Sequence, residues 1–269
     1  DDAYPTENWL RRAVAYFHDE QVAAVGGPAS TPSNDPLLAK AGGRVYENLL
    51  VSGTYRYRYV PERVREVDDF PSCNLIVRKS ILEQTQGFRT DFWPGEDTYL
   101  CRQIVRELGG KILYDPWVQV YHHRRKLFLP HLRQIGRYAL HRGYFAREFP
   151  ETSRKPAYVI PSLFVIGLAA GAVLAPFCVI LRAIYFGVIA LYLGMVLAFS
   201  VPWEALITRA RLNPLSCLLT SIGIIATHIV YGARFLQGLI TRTLPDAPRP
   251  FDHPSEETSR RGAENAEKT

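Results

Sequence analysis

Long uncharged stretches in the second half of the chain constrain its fold more than any other feature. They cover residues 157–180, 183–201 and 215–233, and the third has His228 as its only basic residue. A helix of about 20 apolar residues spans the roughly 30 Å hydrocarbon layer of a bilayer, and these stretches are apolar all round. The sequence therefore predicts about three transmembrane helices within residues 156–240. We expect His228 to hydrogen-bond a neighbouring helix, the alternative being a functional intramembrane group.

The basic residues indicate how the chain is oriented in the membrane. A net charge of +6 would also suit a nucleic-acid-binding protein. However, the basic side chains cluster just before the first apolar stretch, where anionic lipid headgroups attract them; they are Arg142, Arg147, Arg154 and Lys155. By the positive-inside rule this cluster places residues 1–155 in the cytoplasm and makes the chain a multi-pass protein of the cell (inner) membrane. We therefore expect membrane lipids as partners and no nucleic acid.

The first half of the chain has the mixed composition of a soluble domain. Short β runs lie at 22–25, 74–77, 111–114 and 118–121, and helical spacing occurs at 8–17, 37–52, 79–86 and 98–108. Short strands that alternate with helices are typical of a layered α/β domain, which we assign to residues 1–126. This domain has too few strands to be complete, and the only methionine is Met195. We therefore expect a fragment whose N-terminal part is missing.

Two further segments complete the predicted organisation. Residues 127–155 place basic side chains on one helical face and apolar ones on another, as an interfacial amphipathic helix does. Residues 241–269 are rich in Pro, Ser, Glu and Arg and poor in apolar side chains. Such a composition cannot form a packed core, so we expect a disordered tail.

Two pairs of acidic residues are candidates for chemistry. Asp1 and Asp2 supply adjacent carboxylates at the start of the chain, as a hard divalent cation requires; the alternative is a solvated loop. Glu96 and Asp97 follow Gly95 at a helix start. There a carboxylate can accept a proton from an attacking hydroxyl group, or it can simply favour the helix dipole.

A basic run follows the last predicted strand, at His122, His123, Arg124 and Arg125. Imidazole groups bind metals, and guanidinium groups pair with phosphate oxygens. The run therefore indicates a metal or phosphate site, the alternative being a basic surface turn near the membrane.

Five segments occur in the same order as in family 2 glycosyltransferases. They are DDAYP, AAVGGP, PSCNLIVRKS, GFRTDFWPGEDTYL and KILYDPWVQVYHH. They cover most of residues 1–145, and the chain resembles this family, in particular the succinoglycan-type exopolysaccharide glucosyltransferases. The resemblance implies that residues 1–126 form the C-terminal portion of a GT-A (nucleotide-diphospho-sugar transferase) domain. The strands that bind the base and ribose of the donor would then precede Asp1.

The resemblance also implies roles for the acidic residues. Asp2 matches the last acid of the metal-binding DxD motif and Asp1 its middle position, so the expected cofactor is a divalent cation, Mg²⁺ or Mn²⁺. Asp97 matches the catalytic base, and Glu96 beside it would help to hold the acceptor. His122 matches a histidine that in relatives reaches the metal or the diphosphate.

Other residues of the motifs are implied to bind substrate. His123 is the alternative histidine if the register shifts by one residue. Arg124 and Arg125 would assist at the diphosphate. Cys73 and Asn74 match positions that line the pocket near the transferred sugar.

A further motif concerns the acceptor. Gln134, Arg137 and Tyr138 resemble the QxxRW motif of processive polysaccharide synthases, with tyrosine in place of tryptophan. On a helix these three side chains share one face, so they would line an acceptor site. The alternative is a helix that simply lies on the lipid headgroups.

Together these features imply an inverting glycosyltransferase that acts at the cytoplasmic membrane face. It would move a sugar from a nucleotide-sugar donor to a lipid-linked or glycan acceptor, in exopolysaccharide or cell-envelope glycan synthesis. A processive polysaccharide synthase is the alternative within the enzymes, although the missing tryptophan and the few spans argue against it. A non-catalytic membrane subunit for glycan assembly or transport is the alternative of another class. It would not need Asp2, Asp97 and His122 to face one cleft.

Overall fold

The computed structural model describes residues 2–202 and 213–244. Asp1 lies outside the described residues, as does the predicted tail from residue 245 onwards. The described chain contains a mixed α/β part followed by three long apolar helices, which is the coarse architecture that the sequence predicts.

A four-stranded sheet forms the centre of the α/β part. Its order is β4 (Arg65–Val67), β6 (Lys111–Tyr114), β2 (Val22–Gly26) and β5 (Leu75–Val77). The two middle strands, β2 and β6, run parallel, and the outer strands pair antiparallel to them. Every residue of β2 is buried, as expected for a short continuous apolar run at the centre of a sheet.

Helices cover both faces of this sheet. On one face α1 (Trp9–Ala15) buries Ala13 against Val22 and Val25. On the other face α5 (Glu96–Arg102), which continues as a π-helical turn at Gln103–Glu107, packs Leu100 and Ile104 into the larger core. The short helix α4 (Lys79–Thr85) borders the same core. This packing fixes the start of α5, and with it Asp97, relative to the sheet.

A second sheet of three short strands lies beside the first. It contains β1 (Ala3–Pro5), β7 (Val120–His122) and β3 (Ala29–Ser30), in that order. The chain passes from β2 to β3 through Gly27, where a Cβ atom would lie 1.7 Å from the Val118 carbonyl oxygen. Only glycine fits so close an approach of two backbones. Strands β1, β3 and β4 were not predicted, because none of them contains an apolar run like those of β2, β5 and β6.

The predicted helix at 37–52 is broken into α2 (Leu37–Glu47) and α3 (Leu49–Ser52). Asn48 is the break, because its backbone is extended and its side chain accepts a hydrogen bond of 3.0 Å from Leu50 N. Asparagine competes for backbone donors in this way and so favours helix ends.

Three helices are long and apolar enough to cross a membrane. They are α8 (Pro156–Leu174, extended by a 3₁₀ turn at Ala175–Phe177), α9 (Val179–Ser200) and α10 (Pro214–Ile240). The sequence predicts that the second helix begins after Arg182, at residue 183. In the structure it begins before Arg182, at Val179. The Arg182 guanidinium donates back to the carbonyls of Ala175 and Pro176 at 3.4 Å, so the charge is tolerated in the first helical turn.

The third apolar helix continues to Ile240, beyond the predicted end at 233. Its last two turns pack on α6 (Leu129–Glu148), where the Arg234 Nε donates to Gly136 O at 3.4 Å. The helices approach closely, since a Cβ at Gly143 would lie 2.0 Å from Phe235 O. Within the region predicted as interfacial, 127–155, α6 and the short α7 (Pro150–Ser153) thus belong to the packed structure.

The α2–α3 segment docks directly on the apolar helices. Arg44 donates to the Ser216 hydroxyl at 2.6 Å, and the Asn48 amide donates to Phe199 O at 2.7 Å. His228 lies 3.0 Å from the Leu50 carbonyl through Nε2 and 2.9 Å from the Tyr192 hydroxyl through Nδ1. The prediction that His228 bonds a neighbouring helix is confirmed, because Tyr192 belongs to α9.

Candidate active site

One cavity of about 230 Å³ lies between the two sheets, the start of α5 and the helices α6, α8 and α10. Most of the residues predicted as functional line it. They are Asp2, Cys73, Asp97, His122, His123, Arg124, Arg125, Gln134 and Tyr138. The two predicted acids, Asp2 and Asp97, therefore line one cavity together with His122.

Strand pairing brings Asp2 and His122 together. Ala3 of β1 is opposite His122 of β7, and His123 N donates to Asp2 O at 2.8 Å. The His122 Nε2 lies 3.4 Å from the Asp2 carboxylate, whose side chain is 72% exposed. The carboxylate is thus held at the cavity edge while most of its surface remains available.

The proton on His122 is positioned by Arg124. The Arg124 guanidinium lies 2.9 Å from His122 Nδ1, and because guanidinium can only donate, Nδ1 must be the unprotonated nitrogen. Burial, followed by the nearby Arg124 charge, lowers the pKa of His122. Neutral His122 therefore carries its proton on Nε2 and donates it towards Asp2.

This tautomer bears on a divalent cation at the site. An imidazole binds metal through an unprotonated nitrogen, so Nε2 could serve only if Arg124 released Nδ1. The exposed Asp2 carboxylate fits a hard cation as it stands. Within residues 2–202 and 213–244 no three His, Cys, Asp or Glu side chains are grouped as a metal site, and Asp1 lies outside that part.

Asp97 lies in the first turn of α5, on the cavity wall. Its Oδ2 accepts from Ser72 N at 3.1 Å and its Oδ1 from Thr98 N at 2.7 Å. Burial raises the pKa of Asp97, and the nearby Asp69 carboxylate raises it further. A fixed carboxylate with a raised pKa in a cavity is suited to accept a proton.

Polar and aromatic side chains form another part of the cavity wall. Gln134 donates to the Tyr138 hydroxyl at 3.0 Å and accepts from the Tyr46 hydroxyl at 3.3 Å. The Arg124 guanidinium lies over the rings of Tyr46 and Tyr59, 5.4 and 5.2 Å from their centroids. Aromatic rings with hydroxyl groups at their edges combine a large apolar contact area with hydrogen-bonding groups.

Asn74 lies in the core and not on the cavity. Its amide nitrogen donates to Gly27 O and Val118 O, both at 2.7 Å. Its oxygen accepts from the Trp9 indole at 2.7 Å. Because these backbone and indole contacts occupy both ends of the amide, Asn74 joins the two sheets structurally, in contrast to the sequence-based expectation.

Glu96 and Arg137 are also not among the residues that line the cavity. Burial, followed by the Asp97 charge, raises the pKa of Glu96 to about 7. The Arg137 guanidinium lies 5.7 Å from the Trp93 ring centroid, outside the cavity that Gln134 and Tyr138 line. Helical spacing places Gln134, Arg137 and Tyr138 on one face of the helix, but it does not determine which neighbour a long side chain such as that of Arg137 reaches.

Comparison with known proteins relates the chain to a glycosyltransferase. It is 29% identical over 129 residues to the pre-mycofactocin glycosyltransferase of Mycobacterium tuberculosis, in both strain CDC 1551 / Oshkosh and strain ATCC 25618 / H37Rv. The aligned region is 47% of this chain, which spans only 26% of the length of these curated relatives. No protein-family model matches the chain.

Sequence reasoning missed a buried ionic cluster on the cavity wall. The Asp69 carboxylate lies 2.6 Å from the Arg142 guanidinium and 3.2 Å from that of Arg58. Thr98 links this cluster to the base, since its hydroxyl lies 3.2 Å from Asp69 Oδ1 and 3.4 Å from Asp97 Oδ1. The only sequence signal was an acidic pair after a segment of alternating tyrosine and arginine, which is also typical of a solvated loop.

Proposed function

We propose that the protein is an inverting glycosyltransferase that moves a sugar from a nucleotide-diphosphate donor to a lipid-linked or glycan acceptor at the cytoplasmic face of the cell (inner) membrane. The cavity carries the proposal, because Asp97 faces the same space as Asp2 and His122. The similarity to a glycosyltransferase supports it independently. A GT-A domain of the family 2 type and a place in exopolysaccharide or cell-envelope glycan synthesis belong to the same proposal.

Asp97 is the proposed general base. The acceptor hydroxyl gives its proton to Asp97 while its oxygen forms a bond to the anomeric carbon of the donor sugar. The bond from that carbon to the diphosphate oxygen breaks, and its electron pair leaves with the diphosphate. Because the hydroxyl attacks from the face opposite the leaving group, the configuration at the anomeric carbon inverts.

Arg124 and Arg125 are proposed to bind the diphosphate, since both line the cavity next to Asp2. A divalent cation, Mg²⁺ or Mn²⁺, would neutralise negative charge on the diphosphate. It would be held by Asp2 with Asp1, and by His122 only if Arg124 releases Nδ1 so that Nε2 loses its proton. Of the described residues, Asp2 fits this role best. His122 supports it by donating its Nε2 proton towards the Asp2 carboxylate.

The test is Asp97→Asn in the full-length natural protein, reconstituted in bilayer nanodiscs. Release of nucleotide diphosphate is followed with a panel of nucleotide sugars and membrane-extracted acceptors. General-base catalysis contributes roughly 10²–10⁴-fold in rate, so Asp97→Asn should reduce turnover by about that factor while donor binding is retained. Asp91→Asn is the matched control, because Asp91 is exposed and paired only with Arg89 among its described neighbours.

Each outcome bears on a different reading of the chain. Full turnover in Asp97→Asn would remove Asp97 from the mechanism. A wild-type protein that releases no nucleotide diphosphate with any donor would support the non-catalytic membrane subunit. A long product would support a processive synthase, whereas we expect one added sugar per acceptor, since Arg137 lies outside the cavity.

The cation has a separate test. Chelation with EDTA should abolish turnover, and Mn²⁺ or Mg²⁺ should restore it. In Asp2→Asn the cation concentration needed for half-maximal restoration should rise. Turnover that survives chelation would contradict the proposed role of Asp2.

A further inference from the structure

The part of the cavity that borders the apolar helices contains an excess of buried positive charge. Arg58 and Arg142 both contact Asp69, at 3.2 and 2.6 Å. The side chains of Arg58 and Asp69 are only 7% and 3% exposed. Two guanidinium groups share the Asp69 carboxylate, so these three side chains carry one net positive charge, and the next carboxylate is that of Asp97, linked through Thr98. Buried charges are normally paired.

Asp69 Oδ2 and His141 Nε2 have no hydrogen-bond partner among the described residues, and neither do three donor groups of this region. These donors are Arg58 Nε, Arg142 Nη1 and the Tyr231 hydroxyl, and all three residues line the cavity. A buried donor without an acceptor is unfavourable. An anion with several oxygen atoms would accept hydrogen bonds from these donors and would offset the positive charge of the two arginines.

The guanidinium groups are held in place from behind. The rings of Tyr55 and Tyr158 stack with centroids 5.0 Å apart. The Arg58 guanidinium lies 4.5 Å from the Tyr55 centroid, and that of Arg142 lies 4.6 Å from the Tyr158 centroid. Such stacking restrains both groups without using their N–H donors. The region therefore has the fixed donors of a built anion site.

The elements around this region identify the kind of anion. Tyr158 belongs to α8 and Tyr231 to α10, two helices long and apolar enough to lie in a membrane. Ala157 and Pro161 of α8 line the same part of the cavity. A ligand here would have its charged group on the arginines and apolar atoms against the helices. On the other side, Thr98 connects the cluster to Asp97.

We propose that Arg58, Arg142 and Tyr231 bind the phosphate group of a lipid-linked acceptor whose hydrocarbon chain lies against α8 and α10. This inference rests on the proposed function. The phosphate fixes the acceptor at the membrane side of the cavity, so that a hydroxyl of the sugar attached to it reaches Asp97. The proposal thus selects a phosphate-bearing lipid from the acceptors that the sequence leaves open.

The test measures binding of a polyprenyl phosphate and of the matching uncharged polyprenol to the full-length protein in phosphatidylcholine nanodiscs. The variants are Arg142→Gln and Tyr231→Phe. We expect the phosphate to bind more tightly than the alcohol, and Arg142→Gln to weaken it roughly tenfold or more, as for loss of a charge-assisted hydrogen bond. Tyr231→Phe should weaken it several-fold without affecting folding, because the hydroxyl it removes has no hydrogen-bond partner among the described residues. Arg133→Gln, an exposed arginine on the same helix, is the control.

The same variants separate a lipid phosphate from the donor diphosphate. Affinity for nucleoside diphosphate should be unchanged in Arg142→Gln and Tyr231→Phe. If that affinity falls instead, the cluster binds the donor and the proposal is overturned. Equal binding of the lipid phosphate to wild type and Tyr231→Phe would also overturn it.

Failure of the proposed function has a different signature. If lipid phosphate binds in a manner sensitive to both variants while no sugar is transferred, the anion site stands and the catalytic proposal fails. If sugar is transferred equally well by wild type and variants to acceptors without phosphate, the catalytic proposal stands and the anion site fails.

Discussion

Replacing Asp69 with asparagine removes the carboxylate that lies between Arg58 and Arg142. Asparagine has nearly the same shape and can still accept a hydrogen bond, so the change isolates the charge. The two guanidinium groups would then remain buried next to each other. Breaking a buried ionic group in this way costs about 3–5 kcal/mol, because it leaves an uncompensated buried charge.

Asp68→Asn is the matched control, one residue earlier. Asp68 also forms an ion pair, with the Lys155 ammonium at 2.6 Å, but its side chain is 43% exposed. Exposed pairs of this kind contribute about 0–1 kcal/mol. The two substitutions are chemically identical, so a difference between them reports the burial of the Asp69 cluster.

The assay is thermal unfolding of both variants in the same detergent. A destabilisation of 1 kcal/mol lowers the Tm by about 2–4 °C for a chain of this size, so Asp69→Asn should lower it by roughly 6–20 °C. Asp68→Asn should lower it by no more than about 4 °C. Equal small shifts would show that the two arginines do not need Asp69, and the argument for a charged anion site would lose its basis.

The pH dependence of this difference has a definite direction. Although burial opposes ionisation, Arg142 and Arg58 hold the pKa of Asp69 well below its usual range. Stabilisation from the ionised carboxylate is therefore complete above the ordinary aspartate pKa of about 3.9, and it is lost only as the pH falls through the lowered value. The Tm difference between wild type and Asp69→Asn should be no larger at about pH 8 than at about pH 5, because the Asp69 carboxylate also raises the pKa of Asp97 and repels it once it is ionised.

Three further predictions concern the neighbourhood of the cavity. Because the pKa of Glu96 is raised to about 7, its ionisation disfavours the folded state as the pH rises through that value. Glu96→Gln should therefore raise the Tm more at about pH 8 than at about pH 5. An equal rise at both pH values would contradict this prediction. If Asp97 is the base, the acid limb of the kcat/KM profile should lie above the ordinary aspartate pKa of about 3.9, and a limb at or below that value would argue against the raised pKa. Gly143→Ala should destabilise the folded protein by about 1–3 kcal/mol, because the added methyl group would meet Phe235 O. Gly167→Ala is the control, because its methyl group meets open space and should change the stability by about 0.5 kcal/mol or less. Similar melting curves for the two variants would refute the close packing of α6 on α10.

The features that sequence could predict are those with a local cause. The apolar helices follow from length and hydropathy, and the short strand β2 follows from its apolar run between turn residues. Asp97 could be placed at a helix start because Gly95 interrupts the preceding segment. The meeting of Asp2 with His122 followed only from the family resemblance, since nothing local at residue 2 indicates pairing with residue 122.

Other features depend on distant contacts and were missed for that reason. Arg58 lies in an alternating tyrosine and arginine segment that is typical of an exposed surface, yet Asp69 and two stacked tyrosines bury it. Asn74 is a polar residue of a predicted motif, so a place at the pocket was expected. It is buried in the core instead, because its amide hydrogen-bonds Gly27 O, Val118 O and the Trp9 indole. Hydropathy ended the third predicted span at residue 233, because Arg234 follows. The helix continues past Arg234 because that side chain donates to Gly136 O of α6.

The cavity wall draws on residues from Asp2 to Tyr231, so it depends on the order in which the chain is made. Asp2, Asp97 and His122 emerge from the ribosome long before α10 does. The cavity is complete only when α10 has packed along α6. A newly made chain would therefore gain its complete site only after α10 has been made and has packed, which confines any reaction in that site to protein molecules whose third apolar helix is already in place.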